Sequence, residues 1–105
     1  MMKRIAFKMF LNEGCKEEYI KRHDKIWPEL EILLNGLGVL DYSIFLDEET
    51  NGLFAVLKCN NELAYEDLPL HPIMQKWWKY MKDTMQTNAD VSPKSILLEE
   101  VFYLQ

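Results

Sequence analysis

The sequence predicts an α+β fold with the element order βαββαβ, which is the ferredoxin-like arrangement. Its 105 residues leave room for one small domain that spans positions 1–105. Segments in which apolar residues alternate, as in strands, are separated by segments in which they recur every three or four positions, as in helices. A tight turn between the second and third strands then sets the order strand, helix, strand, strand, helix, strand.

The first strand and the first helix follow each other directly. Residues 4–11 alternate, and Asn12 is predicted to cap the helix that follows. The apolar face of this helix runs through residues 19–37, with a break at Pro28, where the missing N–H predicts a kink or a restart. Glycines in the segment 35–38 are predicted to end the helix.

Charged pairs mark the side of this helix that we expect to face solvent. Glu17 and Lys21 are four residues apart, and so are Glu18 and Arg22. Oppositely charged side chains at this spacing are neighbours on a helix surface. The sequence therefore places Arg22 on the solvent-facing side.

The remaining strands are predicted in the second half of the chain. Residues 41–46 and 53–59 form two strands, joined by a hairpin at Asn51-Gly52. Residues 96–104 are predicted to form the closing strand.

The second helix is predicted to begin at Pro72, since proline is common at the first helical position. The apolar residues that follow Pro72 at helical spacing are Met74, Trp77, Trp78, Met81 and Met85.

Residues 87–93, between this helix and the closing strand, have the composition of a loop.

Both faces of the predicted sheet are apolar. The third strand places Leu53 and Leu57 on one face and Phe54 and Val56 on the other. Two helices cover only one face, so the second face needs another cover. A second copy of the same sheet is the simplest cover, and the sequence therefore predicts a homodimer.

Composition excludes several classes of partner. The net charge is −5, with 17 acidic and 12 basic residues and no run of Lys and Arg, so we expect neither nucleic acid nor a membrane as a partner. No apolar stretch approaches the roughly 20 residues of a membrane helix, and no signal peptide is expected. Two cysteines, Cys15 and Cys59, are too few for a disulfide framework, which predicts reduced thiols and a cytoplasmic location.

The motifs of several enzyme classes are missing. The sequence contains no Gly-x-Gly-x-x-Gly, no P-loop and no Gly-x-Ser-x-Gly. Its two histidines, His23 and His71, form no His-x-x-x-His or Cys-His cluster, so no metal site is expected. His71 precedes Pro72 in a turn-like segment, which is typical of a surface or capping residue.

His23 is the first candidate for chemistry. It lies on the apolar face of the first helix, with Tyr19 one turn before it, Trp27 one turn after it and the Pro28 break just beyond. A histidine in this position is either a satisfied core residue or a proton donor. The helix break and the aromatic neighbours are features that often mark a site, although the residues alone leave both interpretations open.

Trp77 and Trp78 are the second candidates. Adjacent residues on a helix point about 100° apart, so both rings cannot face the centre of one core, and we expect one of them to line a cleft. Indole rings with few charges around them suit a carbohydrate better than a phosphate or carboxylate ligand. Tyr42, near the start of the second strand, is either a ligand contact or a side chain that reaches water.

Four separate motifs resemble those of the L-rhamnose mutarotase family. They are RHDKIWPEL at 22–30, LHP at 70–72, WWKYM at 77–81 and EVFYL at 100–104, and the resemblance spans essentially the whole chain. It implies a dimeric α+β barrel that needs no cofactor and interconverts the α and β anomers of L-rhamnose.

The resemblance also implies roles for individual residues. His23 corresponds to the proton donor, and the sugar contacts correspond to Tyr19, Tyr42, Trp77 and Trp78. The loop at 88–93 departs from the Asn-Pro-Asp-Asn pattern of the family, since it has Ala89 and Val91.

Two other classes of function share this fold. Dimers of βαββαβ units include cofactor-dependent small oxygenases, in which His23 would be a ligand or a base. They also include non-catalytic small-molecule-binding modules, in which the aromatic side chains would hold a ligand without reaction.

Overall fold

The computed structural model describes residues 2–105, and its elements follow the predicted order, with the first helix divided in two and one short additional helix at Glu62–Glu66. None of the helices in this part of the chain has the length and apolar character of a membrane span. A short 3₁₀ turn lies at Leu68–Leu70. The strands and helices are β1 Lys3–Phe10, α1 Lys16–Asp24, α2 Pro28–Gly36, β2 Val39–Asp47, β3 Gly52–Cys59, α3 Glu62–Glu66, α4 Pro72–Met81 and β4 Ile96–Leu98.

The four strands described form one antiparallel sheet in the order β2-β3-β1-β4. The central pair, β1 and β3, is in register along its whole length, from Lys3 opposite Cys59 to Phe10 opposite Gly52. This strand order confirms the predicted ferredoxin-like α+β fold.

The helices cover one face of the sheet and leave the other open. On the covered face, Leu53, Ala55 and Met9 are buried against Leu30 of α2 and Trp77 of α4. The open face carries exposed apolar side chains beside the basic residues Lys8 and Lys58, with 63% of Phe45 and 38% of Val56 exposed, as well as parts of Ile96 and Leu98. The chain described here therefore presents the uncovered apolar face that the alternation predicts.

The break at Pro28 is a restart. Helix α1 ends at Asp24, Trp27 has extended backbone with φ −62° and ψ 132°, and Pro28 is the first residue of α2. The left-handed turn predicted after α2 lies at Gly38, whose φ is +86°. A Cβ at Gly38 would lie 2.0 Å from Oδ1 of Asn60, so only glycine fits there.

Two predicted features of the helices are wrong. Asn12 does not cap α1, because its side chain instead donates to the backbone carbonyl of Asp83, and Cys15 is the N-cap residue. Met85 is outside α4, because the Thr84 hydroxyl donates to the carbonyl of Met81 where the helix ends. Met85 then forms a β-bridge with Leu11.

The closing strand is shorter than predicted. Only Ile96–Leu98 pairs with β1, and residues 99–105 have no regular secondary structure. Arg4 holds this tail through side chains: its guanidinium lies 2.6 Å from Glu100 and 3.4 Å from the centre of the Tyr103 ring. The side-chain contacts of Arg4 thus take the place of a backbone ladder.

A β-bulge in β2 decides where Tyr42 points. Leu40 lies opposite Lys58 and Ser43 opposite Val56, so two residues of β2 face the single residue Leu57. Asp41, inside the bulge, has a positive φ of 50°. The extra residue returns Tyr42 to the covered side of the sheet, whereas an unbroken alternation from Leu40 would turn it to the open face.

Candidate functional site

One large cavity lies between the helices and the covered face of the sheet, with a volume of about 1440 Å³. This volume exceeds the roughly 300–1,000 Å³ of an ordinary small-molecule pocket. All five residues named as candidates in the sequence line it: Tyr19, His23, Tyr42, Trp77 and Trp78.

Three elements bring these side chains together. Helix α1 carries Tyr19 in its first half and His23 one turn later, next to the last residue of the helix. The bulge in β2 supplies Tyr42, and α4 supplies Trp77 and Trp78. The site therefore depends on how α1, α4 and the sheet are held relative to one another.

His23 makes one hydrogen bond that sets its tautomer. Its Nδ1 lies 3.0 Å from the backbone carbonyl oxygen of Tyr19. A carbonyl only accepts hydrogen bonds, so Nδ1–H is the donor, and Nε2 of the neutral ring carries a lone pair. His23 lines the cavity, and because Nδ1 is engaged with Tyr19, Nε2 is the ring nitrogen left to bond a ligand there.

Burial keeps the His23 ring neutral. Desolvation lowers the pKa of His23 below its ordinary value of 6.5, and the hydrogen bond to Tyr19 offsets this only in part. At neutral pH, His23 is therefore an uncharged ring whose unprotonated Nε2 is able to accept a proton from a ligand.

An aromatic cluster, formed by Tyr19, His23, Trp27, Trp77 and Tyr80, surrounds this ring. The Tyr19 ring lies 4.3 Å from that of His23, centre to centre, and Trp77 meets the histidine edge-on at 5.5 Å. Trp77 in turn contacts Trp27 at 5.1 Å and Tyr80 at 5.6 Å. These rings exclude water from one side of His23, which is the physical cause of its lowered pKa.

The two adjacent tryptophans have different surroundings. Trp77 is only 5% exposed and belongs to the core as well as to the cavity wall. Trp78 is partly buried and also lines the cavity. Trp78 is therefore the member of the pair that can change without disturbing the centre of the core.

Tyrosine hydroxyls form the polar part of the cavity. Burial raises the pKa of Tyr19, Tyr42 and Tyr65, all of which line it. The Tyr42 ring packs edge-on against Phe7 at 6.5 Å. These phenols stay protonated at neutral pH and act as hydrogen-bond donors or acceptors, and not as phenolate bases.

The sequence interpretation missed two residues of this site and misplaced one residue outside it. Tyr65 and Gln75 line the cavity, although no motif pointed to them. Arg22 was predicted to face solvent, and this is wrong: its side chain is only 12% exposed. Asp83, which is 61 residues away in the chain, covers the guanidinium, so no local spacing could reveal the contact.

The loop at 88–93 also lines the cavity. The carboxylate of Asp90 accepts a hydrogen bond from the Ser92 N–H at 3.1 Å and another from the Ser92 hydroxyl. These bonds stabilise the charged carboxylate and so lower the pKa of Asp90. Val91 has a φ of +64°, a left-handed conformation that a β-branched side chain rarely adopts. Asparagine, which the family pattern has at this point, tolerates that conformation far better.

The second histidine lies apart from the cavity. His71 is the N-cap residue of α4, without a side-chain capping bond. Between residues 2 and 105, no three side chains of His, Cys, Asp or Glu come together as a potential metal site.

The lowered pKa of His23 predicts a pH-dependent stability. The unfolded chain binds a proton near pH 6.5 and the folded chain only at lower pH, so wild-type stability falls as the pH drops below 6.5. His23→Asn can still donate to the Tyr19 carbonyl but does not titrate. We expect its Tm, followed by circular dichroism, to fall less than that of the wild type between about pH 7 and pH 5; equal falls would contradict the burial of a neutral ring.

Comparison with known proteins gives a consistent family. The family model for L-rhamnose mutarotase matches residues 4–104. An L-rhamnose mutarotase of Formosa agariphila is 55% identical over 104 residues, covering 99% of this chain and all of that protein. One of Sinorhizobium fredii is 54% identical, covering 98% of this chain and 99% of the relative.

Solved structures agree with this result. The crystal structure of an L-rhamnose mutarotase from Formosa agariphila has a TM-score of 0.92 at 54% identity, covering 98% of this chain and 99% of that one. An antibiotic biosynthesis monooxygenase has a TM-score of 0.61 at 9% identity, covering 96% and 99%, which is a likeness of fold alone. The chain therefore belongs to the L-rhamnose mutarotase family.

Proposed function

We propose that this protein is an L-rhamnose mutarotase that interconverts the α and β anomers of the sugar, with His23 as the group that moves the proton. The observation that carries the proposal is the His23 ring, which lines an aromatic cavity, is kept neutral by burial and donates Nδ1–H to Tyr19, so that Nε2 is its unprotonated nitrogen. Membership of the mutarotase family supports the reaction and the sugar.

Mutarotation needs only proton transfer. The anomeric hydroxyl loses a proton, the bond between C1 and the ring oxygen breaks, and the ring oxygen gains a proton. The open-chain aldehyde rotates and then closes from its other face by the same steps in reverse. Atoms and charge balance without an oxidant, a reductant or a second substrate.

His23 carries out both proton steps in sequence under this proposal. Its Nε2 lone pair first takes the proton of the anomeric hydroxyl, because the neutral tautomer has no proton to give from that nitrogen. The resulting imidazolium then donates Nε2–H to the ring oxygen as the C1–O bond breaks. Through both steps Nδ1–H stays on the Tyr19 carbonyl and keeps the ring oriented.

The remaining candidate residues hold the sugar. Trp78 supplies an indole face for the C–H groups and the methyl group of rhamnose, and Tyr42 supplies a hydroxyl in the cavity wall. Tyr19 and Trp77 contribute their rings to the same wall. A hydrophobic pocket rejects an added hydroxyl group by only about 10²-fold, so the site should exclude hydroxymethyl sugars incompletely.

His23→Asn tests the catalytic assignment. We expect anomer exchange of L-rhamnose, measured by NMR exchange spectroscopy, to slow by about 10² to 10⁴ relative to the enzyme-catalysed rate. For the wild type, kcat/KM should be constant above neutral pH and fall on the acid side with a midpoint below 6.5, since protonation removes the Nε2 lone pair.

Circular dichroism of His23→Asn serves as the control and should match that of the wild type. Parent-like exchange by this variant would make His23 a structural residue. A wild-type rate that increases as the pH falls through 6.5 would make the imidazolium the resting catalyst and overturn the order of the two steps. A wild type that binds the sugar without exchanging its anomers would be a binding module.

Trp78→Phe tests the sugar contact. The substitution deletes the indole N–H and part of the ring face at a partly buried position, so we expect weaker L-rhamnose binding with a Tm change of a few degrees, or less than about 1 kcal/mol. Fluorescence titration measures the affinity. The matched variant Trp77→Phe should lower stability more, since that ring is buried; parent-like binding by Trp78→Phe would remove Trp78 from the sugar contacts.

A second copy of the chain completes the fold in this proposal. The open face of the sheet places Phe45, Val56, Ile96 and Leu98 in one apolar patch, called the open sheet face below. A patch of this kind on one side of a sheet is typical of an interface. A symmetric pair would bury the same face of both copies and form the dimeric α+β barrel.

Val56→Lys tests this homodimer. A charge at the centre of the open sheet face should shift the sedimentation coefficient at micromolar concentration from that of a dimer to that of a monomer. Leu63→Lys, on α3 and 78% exposed, is the matched control and should leave the dimer intact. A wild-type monomer, or a Val56→Lys dimer, would refute the interface.

A cytoplasmic location is the expected setting. Cys15 and Cys59 are both free thiols, and thiols persist in a reducing compartment.

A further inference from the structure

Arg22 makes the densest set of polar contacts at the end of α1. Its Nη1 lies 2.7 Å from Oδ1 of Asp83 and its Nη2 3.1 Å from Oδ2, which is a bidentate pair. Nη1 also donates to the backbone carbonyl of Tyr80 at 2.7 Å, and Nε donates to Glu18 at 2.7 Å. Four hydrogen bonds on a side chain that is 12% exposed leave the guanidinium little freedom.

These bonds join the two helices of the site. Arg22 belongs to α1, one residue before His23, whereas Tyr80 lies in the last turn of α4 and Asp83 just after it. The Tyr80 carbonyl is among the last four of α4, which have no partner within the helix. Arg22 thus satisfies the C-terminal end of α4 with a positive charge, the sign that the helix dipole favours there.

The same side chain also touches the aromatic cluster. The Arg22 guanidinium lies 4.7 Å from the centre of the Tyr80 ring. Tyr80 contacts Trp77, and Trp77 meets the edge of His23. A closed circuit of contacts therefore runs from Arg22 across α4 and back to the residue that follows Arg22 in the chain.

We propose that the Arg22–Asp83 pair is a positioning clamp, which holds α1 against α4 at the spacing that aims Nε2 of His23 at a sugar held on α4 and β2. Neither Arg22 nor Asp83 lines the cavity, so the clamp does not contact a sugar bound there. It acts on the chemical step through His23, because His23 belongs to α1, whereas Trp77 and Trp78 belong to α4 and Tyr42 to β2.

Asp83→Asn is the main test. The variant removes the charge and one acceptor from an exposed position while Arg22 keeps its bonds to Tyr80 and Glu18. An error of about 1 Å in the reacting geometry costs about 10² in rate. We expect kcat for anomer exchange to fall by about 10- to 100-fold, with KM within about threefold of the wild type, because Trp77, Trp78 and Tyr42 stay in place and only Tyr19 shifts with His23 on α1.

Glu48→Gln is the matched control. Glu48 pairs with Lys16, so it is also an exposed carboxylate bonded to a basic residue of α1. Lys16 is the first residue of α1, at the opposite end of the helix from Arg22. Its replacement should leave both kcat and KM unchanged. Arg22→Lys is the second variant: it keeps the charge but loses the bidentate geometry, and it should lower kcat in the same way.

The double variant Arg22→Lys/Asp83→Asn distinguishes one clamp from two separate effects. If both residues act through the same ion pair, the kcat of the double variant should be no lower than that of the more strongly affected single variant. Near-UV circular dichroism should match the wild type in each variant, so that a lower folded fraction does not account for a lower rate.

The inference rests on the proposed function, and the wild type separates the two. A wild type without anomer exchange refutes the function itself. With an active wild type, an unchanged kcat in Asp83→Asn, an equal loss in Glu48→Gln, or a loss that follows only the folded fraction overturns the clamp. If Asp83→Asn fails to fold, Arg22→Lys decides the question by the same split of kcat from KM.

Discussion

The hydrogen bond from Nδ1 of His23 to the backbone carbonyl of Tyr19 is the constraint on which the rest of the site depends. It needs no second side chain, because the acceptor is a backbone carbonyl one turn earlier in the same helix. It assigns the proton to Nδ1 and so leaves Nε2 as an acceptor. Burial among aromatic rings then lowers the pKa of His23 and keeps that acceptor free near neutral pH. A base of this kind suits a reaction that consists of two proton transfers.

The fold supplies what the helix cannot. Helix α1 ends at Asp24, just beyond His23, and α2 begins at Pro28; Trp27, between the two helices, packs in the aromatic cluster. The bulge at Asp41 returns Tyr42 to the covered side of the sheet, across the cavity from α1 and α4. Helix break and bulge are both local departures from regular structure: the first places Trp27 in the aromatic cluster, and the second places Tyr42 in the cavity wall. Departures of this kind are common next to functional sites.

Local features of the sequence were enough to predict most of the fold. The break at Pro28, the left-handed Gly38 and the alternation of the strands depend on neighbours in the chain. The bulge in β2 was not predictable, because its register is defined by β3. Arg22 was misplaced for the same reason, since its partner Asp83 follows α4. The five residues of the site were named from their types and from the family motifs, whereas the tautomer of His23 depends on a backbone carbonyl that no sequence pattern displays.

The protonation of the His23 ring is the measurement closest to the centre of this account. A long-range ¹H–¹⁵N correlation spectrum of uniformly labelled protein at neutral pH reports which ring nitrogen carries the proton, and the His23→Asn variant assigns the signal. The account predicts a neutral ring with the proton on Nδ1 and the ¹⁵N shift of an unprotonated Nε2. A neutral ring with the proton on Nε2, or an imidazolium at this pH, would contradict it, because neither form offers the sugar a proton acceptor.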